Sequence, residues 1–297
     1  MQVFQWCVSR LLSSHFRTVP LVSQPGPVGR ERGPVGGRRV LDLRAVMRPW
    51  APSVLLASAL GCASGPAPDV HLVSGAPPET ARLHARPAVG FHPGTPGLSR
   101  LGLAEGRDGL LFVPEQARSG RVPLLVMLHG AGSSAANAWG AVRRDAEDRG
   151  VAVLLPDSRG WTWQFEPGDF GSDRRFLDAA LGLVFGKVPV DATRIALAGF
   201  SAGGFVALSL GPSNGDLFRW VMAFSPTGIA VTGRQGHPRF FVAHGTQDEV
   251  APIGLTSRAI VPALRAAGDP VVYREYPVPH TMPAPALHEA FSLLVGE

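Results

Sequence analysis

Cysteine is nearly missing: Cys7 and Cys62 are the only two in 297 residues. A disulfide-stapled scaffold and a Cys-rich zinc or iron–sulfur site are thereby excluded. Long hydrophobic runs are missing too. No stretch approaches the roughly 18 uncharged apolar residues of a membrane helix, which excludes a multi-span membrane protein. Charge is sparse, at 17% of residues, and the 36 glycines and 28 prolines follow no period, which excludes a collagen. A basic face is also lacking, although the sequence pI is about 10.2. Eight arginines, at 10, 17, 30, 32, 38, 39, 44 and 48, stand against Glu31 and Asp42 within residues 1–48. Of the 28 basic and 23 acidic residues in the chain, the remainder keeps 20 and 21. Polyanion binding needs a clustered basic surface, so nucleic acid is not expected as a partner. What is present is apolar: 45% of residues are hydrophobic, enough for one substantial core.

The N-terminal third divides into pieces. Residues 1–46 mix Arg, Gly and Pro without apolar periodicity and are expected to be disordered or not translated. Met47-Arg48-Pro49-Trp50 precedes the apolar run Val54-Leu55-Leu56-Ala57-Ser58-Ala59-Leu60, which ends in Gly61-Cys62-Ala63-Ser64. A positive start, a short apolar stretch and small residues before a cut site describe a secretory signal over 47–62. The Gly61-Cys62 junction resembles the lipobox of bacterial lipoproteins, whose Cys is acylated, with Ala59 standing where that family usually has Leu. The expectation is a start at Met47, a lipid on Cys62 as the only membrane attachment, and a place in the bacterial cell envelope. Residues 63–98 hold seven Pro and five Gly and are expected to form an exposed tether.

From residue 99 to 297 apolar runs alternate with helical patterns. Strands are expected at 110–113, 124–128, 151–155, 194–199, 220–224, 240–243 and 271–276, and helices at 134–149, 173–186, 202–210, 256–267 and 284–295. Such alternation predicts an α/β domain: a mainly parallel central sheet with right-handed crossovers, flanked by helices.

Gly199-Phe200-Ser201-Ala202-Gly203 falls where a strand ends and a helix begins. A tight turn there strains the central residue and crowds the backbone. Small residues two before and two after the serine relieve the clash, and the Ser201 hydroxyl stands above the sheet as a nucleophile. Three further segments follow strands. His129-Gly130-Ala131-Gly132 provides a loop whose Ala131 N–H, with that of Ala202, forms the expected oxyanion hole. His129 itself precedes the glycine turn and is read as a structural hydrogen-bonder. Asp248, in His244-Gly245-Thr246-Gln247-Asp248-Glu249, lies just past a strand end and is preferred to its neighbour Glu249 as the acid. Asp269 lies at the opposite end of the sheet. His280, in Val278-Pro279-His280-Thr281, is on a loop beyond the last strand and is the expected general base. His288 lies in a helical pattern and is expected at the surface.

On these residues, together with Val250-Ala251-Pro252, the chain resembles the α/β-hydrolase superfamily over about 110–295. Within it, the chain is similar to the phospholipase/carboxylesterase branch and to the neighbouring polyhydroxybutyrate-depolymerase and feruloyl-esterase-like lipoproteins. Ala202 departs from the Gln that acyl-protein thioesterases often carry there. The resemblance implies a carboxylesterase using Ser201, His280 and Asp248, with no metal or organic cofactor. Trp161, Trp163 and Phe165, after the strand at 151–155, and Phe200 beside the nucleophile are candidate substrate contacts or core residues. A serine peptidase and a non-catalytic binding protein on the same fold stay open. The interval 225–239, punctuated by Pro and Gly, is too short for a multi-helix cap.

Overall fold

The computed structural model describes residues 70–297 apart from 88–89, 91–92 and 165–169. The strands in chain order are β1 (His71–Leu72), β2 (Gly97–Arg100), β3 (Gly109–Val113), β4 (Val122–Leu128), β5 (Ala152–Pro156), β6 (Val190–Phe200), β7 (Trp220–Phe224), β8 (Ala230–Val231), β9 (Arg239–Gly245) and β10 (Val271–Tyr276). The α-helices are α1 (Ala135–Arg149), α2 (Gly171–Lys187), α3 (Ala202–Leu210), α4 (Ser257–Ala266) and α5 (Ala284–Val295). Eight strands make one sheet in the order β10-β9-β7-β6-β4-β5-β3-β2. Only β3 runs against the others, being antiparallel to both β2 and β5. The remaining pairs are parallel.

The unbroken apolar runs are explained by cover on both faces. Along β4, Leu124, Val126 and Leu128 point into one core with α2, α3 and α4, while Leu125 and Met127 point into the other with α1 and α5. The Ser134 hydroxyl accepts from the Asn137 N–H at the start of α1, and Gly150, with φ 64°, ends it in the left-handed conformation that glycine tolerates. The carboxyl ends of β4, β6, β9 and β10 meet along one edge, where open α/β sheets place their sites. Between β7 and β9 the chain forms only the short β8, so no large cap is inserted.

The expected tether is different in the structure. Over residues 70–87, Ala81 and Leu83 are fully buried. The Leu83 N–H donates to Asn214 Oδ1 (2.8 Å), and Asn214 Nδ2 donates to the Ala81 carbonyl (2.9 Å). The Arg82 guanidinium grips both oxygens of Asp216 (2.8 and 2.9 Å) and also donates to the Ser213 carbonyl. Arg86 joins the same carboxylate at 2.6 Å. These two arginines hold Asp216 down to a pKa of about 2, against its partial burial. β1 pairs in parallel with β8, and Gly97–Arg100 is the sheet's edge strand. The folded part therefore includes residues from Val70, not from 99. Proline and glycine erased the periodic pattern without preventing packing, and Ala81-Arg82-Leu83 is too short to show a period. Residues 1–62, with Cys62, lie outside the described residues.

Candidate active site

Ser201 sits between β6 and α3 with φ 56° and ψ −118°, a conformation costly for any residue with a side chain. Neighbours hold it there: its N–H donates to the Phe224 carbonyl (2.9 Å), and its carbonyl accepts from Phe205 (3.0 Å). Crowding explains the flanking glycines. A Cβ on Gly199 would lie 2.1 Å from the Gly203 carbonyl oxygen, and one on Gly203 would lie 2.4 Å from that of Leu128. Neither position has room for a methyl group.

Ser201 Oγ lies 2.9 Å from His280 Nε2, and His280 Nδ1 lies 2.7 Å from Asp248 Oδ2. Three loops after three different strands thus bring a hydroxyl, an imidazole and a carboxylate into one line. Gly245 lets two of those loops meet, because a Cβ there would lie 2.2 Å from the Val278 carbonyl oxygen. The Ser225 hydroxyl donates to the carbonyl of Thr281, next to His280, at 3.3 Å. The Phe200 ring packs against the His280 ring at 4.8 Å between centroids. Asp248 Oδ1 accepts from the Val250 and Ala251 N–H groups (3.0 and 2.7 Å). Burial alone would push the Asp248 carboxyl up. Hydrogen bonds from His244, His280 and Ala251 outweigh it and hold the group well below the usual carboxylate range. Asp248 is therefore ionised at neutral pH.

The loop after β4 lies against the Ser201 turn: a Cβ on Gly130 would stand 3.4 Å from that of Ser201. The N–H groups of Ala131 and Ala202 donate to no other group among the described residues. His129 is buried and serves as a bracket for this loop. Its Nδ1 donates to the Gly130 carbonyl (2.7 Å), and its Nε2 accepts from the Ser158 N–H (3.0 Å). Burial, with Arg107 nearby, lowers the His129 pKa and keeps the ring neutral in this role. Arg107 reaches His129 Nε2 (3.2 Å), the Ser133 carbonyl (3.0 Å) and the Ser158 hydroxyl (3.1 Å).

The four aromatic candidates separate. Trp163 is buried; its indole N–H donates to the His129 carbonyl (2.8 Å) and its ring packs on His129, so it braces the loop from within and does not line a cleft. Trp161 is 49% exposed and lies over Gly132, whose N–H donates to the Trp161 carbonyl (2.8 Å). Phe200 is half-buried beside His280, and Phe165 lies outside the described residues. Glu249 is exposed, Asp269 pairs with Arg234 (2.7 Å) away from Ser201, and His288 pairs with Asp145 at the surface. Two contributors carry no role in the sequence reading: Arg107, whose partners are 22 to 51 positions away, and His244, which touches Asp248. A signal for His244 did exist. Like His129, it precedes a glycine at the end of a strand. Among the described residues no group of three or more His, Cys, Asp or Glu side chains is placed to hold a metal ion.

The sequence model of the alpha/beta hydrolase family matches residues 125–295, more than half of the chain. The chain belongs to the alpha/beta hydrolase family. The matched span includes Ser201, Asp248 and His280. No curated protein matches the chain in sequence. Solved structures of the same fold include the fluorophosphonate-binding serine hydrolase F of Staphylococcus aureus, with a TM-score of 0.55 and 17% identity over 69% of this chain and 100% of that one. An S-formylglutathione hydrolase from Agrobacterium tumefaciens gives a TM-score of 0.53 and 18% identity over 70% and 95%. Esterase PE8 gives 0.51 and 19% over 63% and 97%. At these identities the likeness is one of fold, and this alpha/beta hydrolase's chemistry has to be read from its own site.

Proposed function

We propose that the protein is a serine carboxylesterase in which Ser201 is the nucleophile, His280 the general base and acid, and Asp248 the group that orients the imidazole. The observation that carries this reading is the continuous contact from Ser201 Oγ through His280 to an ionised Asp248. As Ser201 Oγ attacks the ester carbonyl, its proton passes to His280 Nε2. The carbonyl oxygen, now negative, accepts the N–H groups of Ala131 and Ala202. The bond to the alcohol oxygen breaks, and His280 returns the proton to that oxygen. Water, deprotonated by His280, then attacks the acyl-enzyme and releases the acid and free Ser201. Asp248 keeps its charge throughout and stabilises the imidazolium.

The cleft is read as open because only the short β8 lies between β7 and β9. An open cleft cannot surround a long acyl chain, so extra methylenes give little burial energy. Exposed Trp161 beside the loop of Ala131 offers a flat apolar surface to aryl or short acyl groups. The expected result is hydrolysis of p-nitrophenyl esters that peaks at short acyl chains, with little action on a peptide nitroanilide and no rate jump above the substrate's solubility limit. A panel of acyl lengths, hydroxycinnamate esters and triglyceride emulsions checks this. Preference for long-chain emulsions would overturn the open-cleft reading, and preference for the anilide would make the protein a peptidase.

We further propose a lipid anchor on Cys62 in the cell envelope, with translation from Met47. The arginine excess confined to residues 1–48 and the signal-like run ending at Gly61-Cys62 support it. No helix among the described residues is long and apolar enough to cross a membrane. Mass spectrometry of the mature protein is expected to find an acylated N-terminal Cys62. A peptide from within residues 1–46, or an unmodified Cys62, would refute it.

A further inference from the structure

A second serine–histidine pair meets the Asp248 carboxylate from inside the protein. His244, next to last in β9, and Ser257, first in α4, are both fully buried. Ser257 Oγ lies 2.7 Å from His244 Nδ1, and His244 Nε2 lies 3.1 Å from Asp248 Oδ2, the same oxygen that His280 reaches. One carboxylate oxygen thus receives two imidazoles, each with a serine on its far nitrogen. The inner serine has no exposed surface through which an ester carbonyl could arrive, so this arm does not react. His244 Nε2 also lies 2.8 Å from the Ala251 carbonyl. A nitrogen between two acceptors carries the proton, and the Ser257 hydroxyl then donates to the bare Nδ1, fixing that tautomer.

We propose that His244 is a positioning residue for the reaction, holding Asp248 in place and sharing its charge, with Ser257 setting the tautomer that makes this possible. The inference rests on the catalytic reading above. Asp248 is fixed by the Val250 and Ala251 N–H groups on one oxygen and the His280 N–H on the other, with His244 Nε2 3.1 Å from that second oxygen and its N–H shared with the Ala251 carbonyl. His280 must stay free to exchange protons with Ser201, so His244, fixed by the Ala251 carbonyl and Ser257, is the rigid partner beside that oxygen. Its N–H also takes up part of the carboxylate's charge, which moderates how strongly Asp248 favours the imidazolium form of His280. The charges facing this arm are few. Glu275 is the cross-strand neighbour of His244, and Arg258 (3.0 and 2.8 Å) and the Tyr273 hydroxyl (2.8 Å) bind it. Glu249 is exposed.

The test uses the full chain and a short-chain p-nitrophenyl ester, with His244→Leu, His244→Gln, Ser257→Ala and Ser201→Ala compared. His244→Leu is expected to lower kcat by about 10- to 100-fold with KM within about twofold of the parent. With the His244 N–H gone from beside Asp248 Oδ2, more of the charge on that oxygen falls to His280, and the acid limb of kcat/KM should move to higher pH. His244→Gln, whose amide N–H can reach the same oxygen, should restore most of kcat and bring the limb back. A folded His244→Leu with the parent's kcat and acid limb would overturn the proposal. So would a loss of kcat with an unmoved limb that His244→Gln does not restore, since that marks lost packing alone. Should His244→Leu not fold, Ser257→Ala decides: a smaller loss of kcat with the same limb shift supports the proposal, and an unmoved limb overturns it. Turnover that survives Ser201→Ala would overturn the catalytic reading itself; turnover that needs Ser201 but ignores His244 overturns only this inference.

Discussion

Replacing Ser201 by alanine is expected to lower ester turnover about a million-fold, the scale on which a triad depends on its nucleophile. The fold should survive. Alanine carries a Cβ just as serine does, so the strained φ of 56° is neither relieved nor worsened. The backbone bonds to Phe224 and Phe205 involve no side-chain atom. Only the contact from Oγ to His280 is lost. A fluorophosphonate probe should label the parent at Ser201 and leave the Ser201→Ala protein unlabelled, while circular dichroism and the melting temperature stay unchanged. Labelling at another serine, or undiminished turnover, would remove Ser201 from the mechanism.

Asp248→Asn should cost about ten-thousand-fold in kcat, by a route the geometry makes specific. Oδ1 accepts the Val250 and Ala251 N–H groups, and Oδ2 accepts that of His280 with His244 Nε2 at 3.1 Å. An amide has one oxygen and one NH2, so one pair of donors must face another donor. If the NH2 turns to the histidines, His280 can accept it only by moving its own proton to Nε2. That nitrogen then faces Ser201 with a hydrogen and cannot act as a base. If the NH2 turns the other way, it opposes the Val250 and Ala251 N–H groups, and the loop loses stability, at about 1–3 kcal/mol for each buried group left unpaired. Steady-state kinetics and thermal unfolding of the same variant distinguish the two orientations. Glu249→Gln, at an exposed side chain, should change neither. If Glu249→Gln is the crippling change and Asp248→Asn is silent, the acid is the neighbour.

Much of this was legible because its signals are local. The apolar run at 220–224, the last strand at 271–276 and the closing helix at 284–295 each sit inside one stretch of chain, and the structure has those bounds. Gly199 and Gly203 announce the tight turn at Ser201 because steric crowding acts across five residues. The missed features are joined over long separations. Arg107 reaches His129 and Ser158 from the turn before β3, and no spacing rule links a loop arginine to a strand-end histidine. Trp163 looks like a pocket aromatic in sequence, since nothing local shows that its N–H ends on the His129 carbonyl. The run at 63–98 reads as a tether because its few apolar residues have no period, yet Ala81 and Leu83 fit into space left by residues far along the chain.

That last fit sets where the protein can be cut. A fragment beginning at residue 99 would remove both backbone partners that Asn214 finds at Ala81 and Leu83, leaving its buried amide only the Leu210 carbonyl. It would take both arginines from Asp216 and expose β8 along the edge that β1 now covers. Asn214 and Asp216 lie in the turn that carries the chain from α3 into β7, and α3 is the helix that starts right after Ser201. Residues before the sheet thus act as a rear wedge for the element that presents Ser201. A piece that keeps all of these contacts starts no later than His71.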